Sequence, residues 1–255
     1  MALRAVFLDL DDTLVATSEH DVRAFNHAAS VADERAGPLD RERLVADVRA
    51  GIKRAPWDPE YKVEVTEWRA ALWASALENQ GLAARAGGAL ALGAELQREY
   101  DANRMNDFPF MLEVPDVVAH LRKRGLRVVV ITNGHHVVQR DKLAACAAHV
   151  LFPEPETIIV GGEEVLAGRP EKPHESIFLR ACDVAGCAPN QAVHVGDSLA
   201  ADVQVSPAER FHRAHPPRLV VDPCAFSPSH ADRPPSFSSS TRRAASTRSF
   251  ARRCG

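Results

Sequence analysis

The chain has 255 residues, 45% of them apolar, and a formal net charge of −3. This length and apolar content are enough for one large domain, or for a domain with an insert, around a real hydrophobic core. The small net charge gives no overall reason to expect nucleic acid or an anionic membrane as a partner. The five cysteines form no CxxC pair, which indicates neither a disulfide framework nor a zinc site, so we expect reduced thiols.

The sequence also carries no pattern typical of export or membrane insertion. A strand pattern begins near residue 4, which leaves no room for a signal peptide. No apolar run reaches the roughly 18 residues that a membrane helix needs. We therefore expect a cytoplasmic protein without a membrane partner.

The first predicted element is a strand over Ala5–Leu10, which runs directly into Asp11 and Asp12. A buried parallel strand places its C-terminal end at the crevice of an open α/β sheet, so we expect Asp9 to lie there. Repelling carboxylates are tolerated at such a site when a divalent cation lies among them, and Mg²⁺ prefers oxygen ligands. The alternative is a solvated turn capped by Asp12 and Thr13, and these residues alone leave both interpretations open.

Residues 17–108 are rich in Ala, Leu, Glu and Arg, which predicts an almost entirely helical segment. It is too long for one crossover between strands, so we interpret it as an insert over the strand ends where ligands bind. Its tryptophans, Trp57, Trp68 and Trp73, favour a hydrophobic core over a platform for sugar rings.

Strand and helix patterns alternate along the rest of the chain, which predicts an α/β fold with a parallel sheet covered on both faces. The predicted strands are Arg127–Ile131, Thr157–Val160, Ala192–Val195 and Arg218–Val221, and the predicted helices are Val117–Lys123, Val138–Ala147 and Ser176–Val184.

Polar residues follow several of these elements. Thr132 and Asn133 end the second strand, where a hydroxyl and a backbone amide could bind a phosphoryl oxygen, although Thr-Asn-Gly alone is usually a turn. Lys172 lies between two prolines before a helix, a setting that alone is usually a solvated loop. Asp197 and Asp202 follow the strand at Ala192–Val195.

These segments together resemble the motifs of the haloacid dehalogenase (HAD) superfamily of phosphohydrolases. The residues Asp9-Leu10-Asp11-Asp12-Thr13 match its DxDxT motif, and the three later segments match its further motifs in the same order. The resemblance covers about residues 4–204. It implies a Rossmann-like, doubly wound core formed by residues 1–16 and 109–204, with a helical C1-type cap at 17–108.

The resemblance implies a role for each motif residue. Asp9 is the nucleophile that accepts the phosphoryl group, and Asp11 is the general acid for the leaving alcohol and then the base for water. Thr132 and Asn133 bind the phosphoryl group. The ammonium of Lys172 stabilises the negative charge of the aspartyl-phosphate.

The family also implies a Mg²⁺ site formed by Asp9, Asp197 and the backbone carbonyl of Asp11, with Asp202 as a positioning acid. Dehalogenases attack carbon and have no leaving alkoxide to protonate, so Asp11 favours phosphoryl transfer. The expected protein is a Mg²⁺-dependent phosphatase for a small phosphorylated metabolite such as a phosphosugar. A nucleotide phosphatase or another metabolite phosphatase on the same scaffold is the alternative.

Four further residues are weaker candidates. His135 and His136 follow the second strand and could reach the rim of the site, but adjacent side chains are expected to point apart and make a poor metal pair. Contact with the substrate is their other possible role. Arg104 and Arg140 could meet an anionic substrate, although surface arginines are common.

Residues 205–255 depart from the family pattern. Pro and Ser become frequent, and residues 203–255 contain nine Arg, no Lys and three acidic residues, a charge of about +6 against about −9 for the rest. We expect a disordered tail. Our hypothesis is an altered reading frame or a retained intervening sequence. A catalytically impaired HAD-like binding protein is then an alternative function. A third alternative, a nucleic-acid-binding module, rests only on the tail arginines.

Overall fold

The computed structural model describes residues 2–54, 63–82 and 88–203. The chain divides into two compact units, residues 1–216 and 217–255. The second unit lies outside the described residues, as do the predicted strand Arg218–Val221 and the tail predicted to be disordered. Among the helices that are described, none is long and apolar enough to cross a membrane.

The centre of the fold is a parallel sheet of four strands, in the spatial order β3-β2-β1-β4. The strands are β1 (Ala5–Leu8), β2 (Arg127–Thr132), β3 (Ile158–Val160) and β4 (Ala192–Val195). From β1 the chain builds the sheet outward on one side through β2 and β3, and it then returns to the other side of β1 with β4. The strand order therefore reverses between β1 and β4, and the carboxyl ends of these two strands flank the crevice where such folds bind ligands.

Between β1 and β2 the described residues form four helices: α1 (Thr17–Ala36), α2 (Arg41–Arg54), α3 (Val65–Glu78) and α4 (Ala89–Met105). They bury an apolar cluster of their own around Trp73, which is fully inaccessible to solvent. The Trp73 ring lies 5.9 Å from that of Phe25, and its Nε1 donates to Oε1 of Gln97 at 3.1 Å. Trp73 is thus a core residue, while Trp57 lies outside the described residues. The cap boundaries at 17–108 stay a prediction.

The remaining helices are α5 (Val114–Lys123), α6 (His136–Ala145), α7 (Ala148–Leu151), α8 (Gly161–Leu166) and α9 (Glu175–Ala185). Successive side chains of β1 point to opposite faces of the sheet. Val6 and Leu8 pack in one cluster with Val118 of α5, and Phe7 packs in another with Ile177 of α9. Helices therefore cover both faces, which confirms the predicted α/β class.

The element ends differ from the predicted ones by a few residues, for local reasons. Helix α5 begins three residues before the predicted Val117, with Pro115 in its first turn, where a missing N–H costs nothing. Helix α6 begins two residues before Val138, because Nδ1 of His135 accepts a hydrogen bond from the Val137 N–H and caps the helix.

Candidate active site

Three carboxylates meet beyond the ends of β1 and β4. Asp9 follows β1, Asp197 follows β4, and Asp202 lies on a short π-helix at Leu199–Val203. One oxygen of each carboxylate lies within 4.8 Å of the others. Sheet topology brings the three groups together at the point where the strand order reverses, although almost 190 residues separate the first two in the sequence.

The ammonium of Lys172 lies between two of these carboxylates. Its Nζ donates to Oδ1 of Asp9 at 2.6 Å and to Oδ1 of Asp202 at 2.7 Å, and the residue is only 4% exposed. Asn133 holds the backbone of Lys172 in place, because its side chain donates to the Lys172 carbonyl at 2.7 Å and accepts from the Lys172 N–H at 3.0 Å. The Asn133 side chain thus orients the lysine loop, and only its backbone amide is available for a phosphoryl oxygen.

Thr132 completes this group from the end of β2. Its residue is fully buried, and its hydroxyl oxygen has no hydrogen-bond partner in the part of the chain that the structure describes. A buried hydroxyl without a partner is costly unless a bound group satisfies it. The hydroxyl of Thr132 therefore fits a bound phosphoryl oxygen.

The pKa values of the three carboxylates are shifted in different directions. Burial raises the pKa of Asp9 to about 7, although the Lys172 charge acts in the opposite direction. Burial alone would raise the pKa of Asp202 too, but the hydrogen bond from His194 and the charge of Lys172 outweigh it and lower the value to about 2. Burial also raises the pKa of Asp197, and the neighbouring carboxylates Asp12 and Asp202 add to this. One lysine faces three carboxylates, so this set of hard oxygen donors fits a divalent cation such as Mg²⁺.

The raised pKa of Asp9 predicts that Mg²⁺ affinity depends on pH. A carboxyl group with a pKa of about 7 is mostly protonated at pH 6 and mostly ionised at pH 8, and a metal binds the ionised form. We expect the apparent Mg²⁺ affinity to rise roughly tenfold between these pH values. Isothermal titration calorimetry with Mg²⁺ at both values measures it. Asp9→Asn should bind Mg²⁺ weakly at both pH values, and an equal affinity of the unmodified protein at pH 6 and pH 8 would contradict the prediction.

Asp11 points away from the other carboxylates. Its oxygens accept from Nζ of Lys142 at 2.7 and 2.9 Å, from Oγ1 of Thr17 at 2.6 Å and from Nε2 of Gln139 at 2.9 Å. Burial would raise the pKa of Asp11, but the charge and hydrogen bonds of Lys142 outweigh it, with help from Thr17 and Gln139, and lower the pKa to about 2. In this arrangement Asp11 is ionised and anchored to α6 and to the start of α1.

Asp202 fits against Gly196, the residue before Asp197. A Cβ atom on Gly196 would lie 2.2 Å from Oδ2 of Asp202. Asp202 has little freedom to move, because Lys172, His194 at 2.8 Å and the N–H of Ser198 at 3.0 Å all bind its oxygens. The glycine in Val-Gly-Asp is therefore required by the close approach of this carboxylate.

We expect Gly196→Ala to displace Asp202 and to break its bond with Lys172. The expected result is a loss of about 1–3 kcal/mol in the free energy of unfolding, from overpacking, and a fall of roughly 10²-fold in kcat. Thermal unfolding and steady-state kinetics measure the two effects. Gly51→Ala is the matched control, because its Cβ would meet only the flexible end of Leu72. Wild-type activity and stability in Gly196→Ala would show that the contact has no role.

Four residues of this site were not predicted from the sequence. Gln139 and Lys142 lie one helical turn apart on α6, and their Asp11 contacts join residues about 130 positions apart. His194 alternates with valines in β4, a pattern that only indicates a strand. Gly162 allows the start of α8 to lie close to the loop that follows Thr132, because a Cβ atom on Gly162 would lie 2.5 Å from the carbonyl oxygen of Gly134. Nothing in one sequence indicates that Lys142 is buried, because lysines are almost always exposed.

The four weaker candidates occupy different positions in the structure. The rings of His135 and His136 are stacked, 4.4 Å between centroids, so the expectation that they point apart is wrong. Arg140 is a surface residue that pairs with Glu163 through two bonds, at 2.6 and 2.7 Å. Arg104, which the sequence suggested as a surface residue, is only 4% exposed. In the described part of the chain, Asp9, Asp197 and Asp202 are the one acidic or histidine cluster with metal-site spacing.

Comparison with known proteins agrees with this geometry. The sequence profile of the haloacid dehalogenase-like hydrolases matches residues 3–205. The chain therefore belongs to the haloacid dehalogenase-like hydrolases, as the motifs predict. The match ends beside the position where the composition of the sequence changes.

Individual relatives refine the class. The chain is 30% identical to N-acylneuraminate-9-phosphatase of Homo sapiens over 79% of this chain and 77% of that protein. It is 28% identical to phosphoserine phosphatase of Thermus thermophilus, over 79% of this chain and 84% of that protein. A haloacid dehalogenase-like family hydrolase from Xanthomonas campestris shares the fold, with a TM-score of 0.55, 18% identity and coverage of 84% and 87% of the two chains. The phosphatase names support the predicted class of phosphoric monoester hydrolase.

Proposed function

We propose that this protein is a Mg²⁺-dependent phosphatase that hydrolyses a small phosphomonoester through an aspartyl-phosphate on Asp9. The observation that carries the proposal is the pairing of the buried carboxylate of Asp9 with the buried ammonium of Lys172. The buried hydroxyl of Thr132, which has no hydrogen-bond partner among the described residues, ends the neighbouring strand. Phosphoryl transfer requires a nucleophile, a fixed cation and a hydrogen-bond donor, and all three lie at the carboxyl-end side of the sheet.

The reaction has two steps. In the first, an oxygen of Asp9 attacks phosphorus, the bond from phosphorus to the alcohol oxygen breaks, and Asp11 gives the leaving oxygen a proton. In the second, Asp11 removes a proton from water, whose oxygen attacks phosphorus and releases inorganic phosphate and the free Asp9 carboxylate. Lys172 and Thr132 stabilise the charge on the phosphoryl oxygens in both steps.

Asp11 has to change its surroundings before the first step. Its bond to Lys142 holds its pKa at about 2, and an ionised carboxylate cannot donate a proton. We therefore infer that Asp11 leaves Lys142 and takes up a proton when substrate binds.

Asp9, Asp197 and the backbone carbonyl of Asp11 are the groups proposed to hold Mg²⁺. Asp202 belongs to the same cluster as Asp9 and Asp197, and we assign it a positioning role because Lys172 and His194 already bind its Oδ1. Bound Mg²⁺ would orient the phosphoryl group and neutralise part of its charge.

For the substrate we propose a phosphosugar such as an N-acylneuraminate 9-phosphate, on the basis of the 30% identity to the human phosphatase named after it. A nucleotide or another small phosphorylated metabolite is the alternative, since the relatives include a phosphatase named for phosphoserine.

Phosphate release from a panel of phosphosugars, nucleotides and phosphoserine, measured with Mg²⁺ and with a chelator, tests the proposal. We expect hydrolysis that requires Mg²⁺ and is fastest with N-acylneuraminate 9-phosphate. Hydrolysis that survives the chelator would contradict the metal assignment. A folded protein that hydrolyses none of the compounds would instead favour the HAD-like binding protein.

A further inference from the structure

A cavity lies between the helical segment and the core of the fold. Its volume is about 150 Å³, and its walls come from α3 and α4 of the helical segment and from α6 of the core. Arg69, Gln97 and Asp101 line it on one side, and Asp141 of α6 lines it on the other. Helix α6 begins four residues after Thr132, whose hydroxyl is proposed to bind the phosphoryl group.

The hydrogen bonding of the Arg69 guanidinium is the unusual feature of this cavity. Its Nε is buried and has no hydrogen-bond partner among residues 2–54, 63–82 and 88–203, and the guanidinium forms no ion pair there. The carboxylate of Asp101 on the same wall accepts instead from Nε2 of Gln97 at 2.9 Å. A buried guanidinium N–H without an acceptor is costly, and a ligand that offers an acceptor oxygen would remove that cost.

Arg104 adds a second guanidinium from α4. It is 4% exposed, its Nε pairs with Oδ1 of Asp21 at 2.6 Å, and its Nη1 is buried without a hydrogen-bond partner in the described chain. Burial lowers the pKa of Arg69, and the Arg104 charge lowers it further, so the two cations are close enough to repel each other. The carboxylates of Asp21 and Asp101 offset these two charges, so what the arginines lack among the described residues is a hydrogen-bond acceptor for their buried N–H groups.

Both arginines are also near the catalytic groups. Burial would lower the pKa of Arg104, but the charges of Tyr100 and Asp21, and less strongly that of Asp11, raise it. His135, three residues after Thr132, hydrogen-bonds the backbone of Val63 just before α3. Burial lowers the pKa of His135, and the charges of His136 and Arg69 act in the same direction. The start of α3 therefore contacts the rim of the site, and a substrate bound at Asp9 can extend toward Arg69.

We propose that Arg69, backed by Arg104, binds a carboxylate group of the phosphorylated substrate while the phosphoryl group lies at Asp9. The planar N–H donors of arginine match a carboxylate. A second phosphate, with its double charge, is disfavoured because Asp101 and Asp141 also line the cavity. The same two acids can accept hydrogen bonds from hydroxyl or amide groups next to the carboxylate. This inference rests on the proposed function and narrows it to phosphomonoesters of carboxylic acids.

The test compares three substrates in the presence of Mg²⁺: N-acetylneuraminate 9-phosphate, its methyl ester, which lacks the carboxylate charge, and p-nitrophenyl phosphate. We expect the unmodified protein to favour the acid over the ester by about tenfold or more in kcat/KM. Arg69→Gln should raise KM for the acid about tenfold, and leave the ester and p-nitrophenyl phosphate unchanged. Arg69→Lys should recover part of the loss. Arg98→Gln, an exposed residue of the same helical segment, is the matched control and should change nothing.

Equal effects of Arg69→Gln on all three substrates would overturn the inference, because a structural role would not distinguish acid from ester. If Arg69→Gln fails to fold, the unmodified protein alone tests the inference through its preference for the acid over the methyl ester. Equal kcat/KM for the two substrates would then overturn it. Hydrolysis of p-nitrophenyl phosphate distinguishes a failure of the carboxylate inference from a failure of the proposed phosphatase activity. A protein inactive on all three substrates would overturn the proposed function itself, and the carboxylate site with it.

Discussion

Replacing Asp9 with Asn is expected to lower kcat by at least roughly 10⁴-fold, because the amide cannot attack phosphorus. Asn has nearly the same shape, so the fold should survive. Burial already raises the pKa of Asp9 to about 7, and a neutral side chain is therefore tolerated there. We expect the Mg²⁺-free protein to keep its Tm, and the stabilisation by Mg²⁺ to be lost.

Phosphate release and thermal unfolding of Asp9→Asn measure both effects. Asp116→Asn, an exposed aspartate of α5, is the matched control and should behave like the unmodified protein. Activity within tenfold of the unmodified protein would rule out Asp9 as the nucleophile.

Replacing Lys172 with Met is expected to have the second largest effect. The ammonium is bound to the carboxylates of Asp9 and Asp202, and its loss leaves two buried negative groups without their cation. Breaking such a buried pair costs about 3–5 kcal/mol. For a protein of this size that lowers Tm by roughly 10 °C. The loss of charge stabilisation should also lower kcat about 10³-fold.

Adding Mg²⁺ distinguishes the effect of Lys172→Met on stability from its effect on catalysis. A divalent cation among the carboxylates supplies positive charge, so it should recover part of the lost Tm but little of the activity. Calorimetry with and without Mg²⁺ measures the first, and kinetics the second. Lys123→Met removes an exposed lysine of α5 and is the matched control. If Lys172→Met unfolds at the same temperature as the unmodified protein, the ion pairs contribute no stability.

The sequence predicts the core sheet well because its signals are local. The strands at β2, β3 and β4 are short apolar runs buried on the sheet, and each is found within one residue of its predicted position. Strand β1 ends two residues early, at Leu8, because the chain turns there, although the Asp9 N–H still bonds the Val195 carbonyl at 2.9 Å. Polar residues directly after strands are likewise visible in the sequence, which is why Asp9, Thr132 and Asp197 were identified.

Pairings between distant segments are harder to predict. Nothing in the sequence indicates that Lys142 approaches Asp11, or that Asn133 binds the backbone of Lys172. Arg104 illustrates the same difficulty in the helical segment, where a charged residue is buried only because Asp21 of another helix pairs with it. Such contacts depend on how helices pack, and the composition of each helix does not determine that. The roles of the motif residues stay predictions.

Chemical trapping of the phosphorylated protein tests the nucleophile most directly. The protein is mixed with substrate and Mg²⁺, quenched with acid, and treated with borohydride, which reduces an aspartyl-phosphate to homoserine. Mass spectrometry of the tryptic peptide Ala5–Arg23 then locates the change. We predict homoserine at position 9 only when substrate is present, and none in Asp9→Asn. Substrate turnover without reduction at Asp9, or with reduction at Asp11 or Asp12 in its place, would contradict the proposed mechanism.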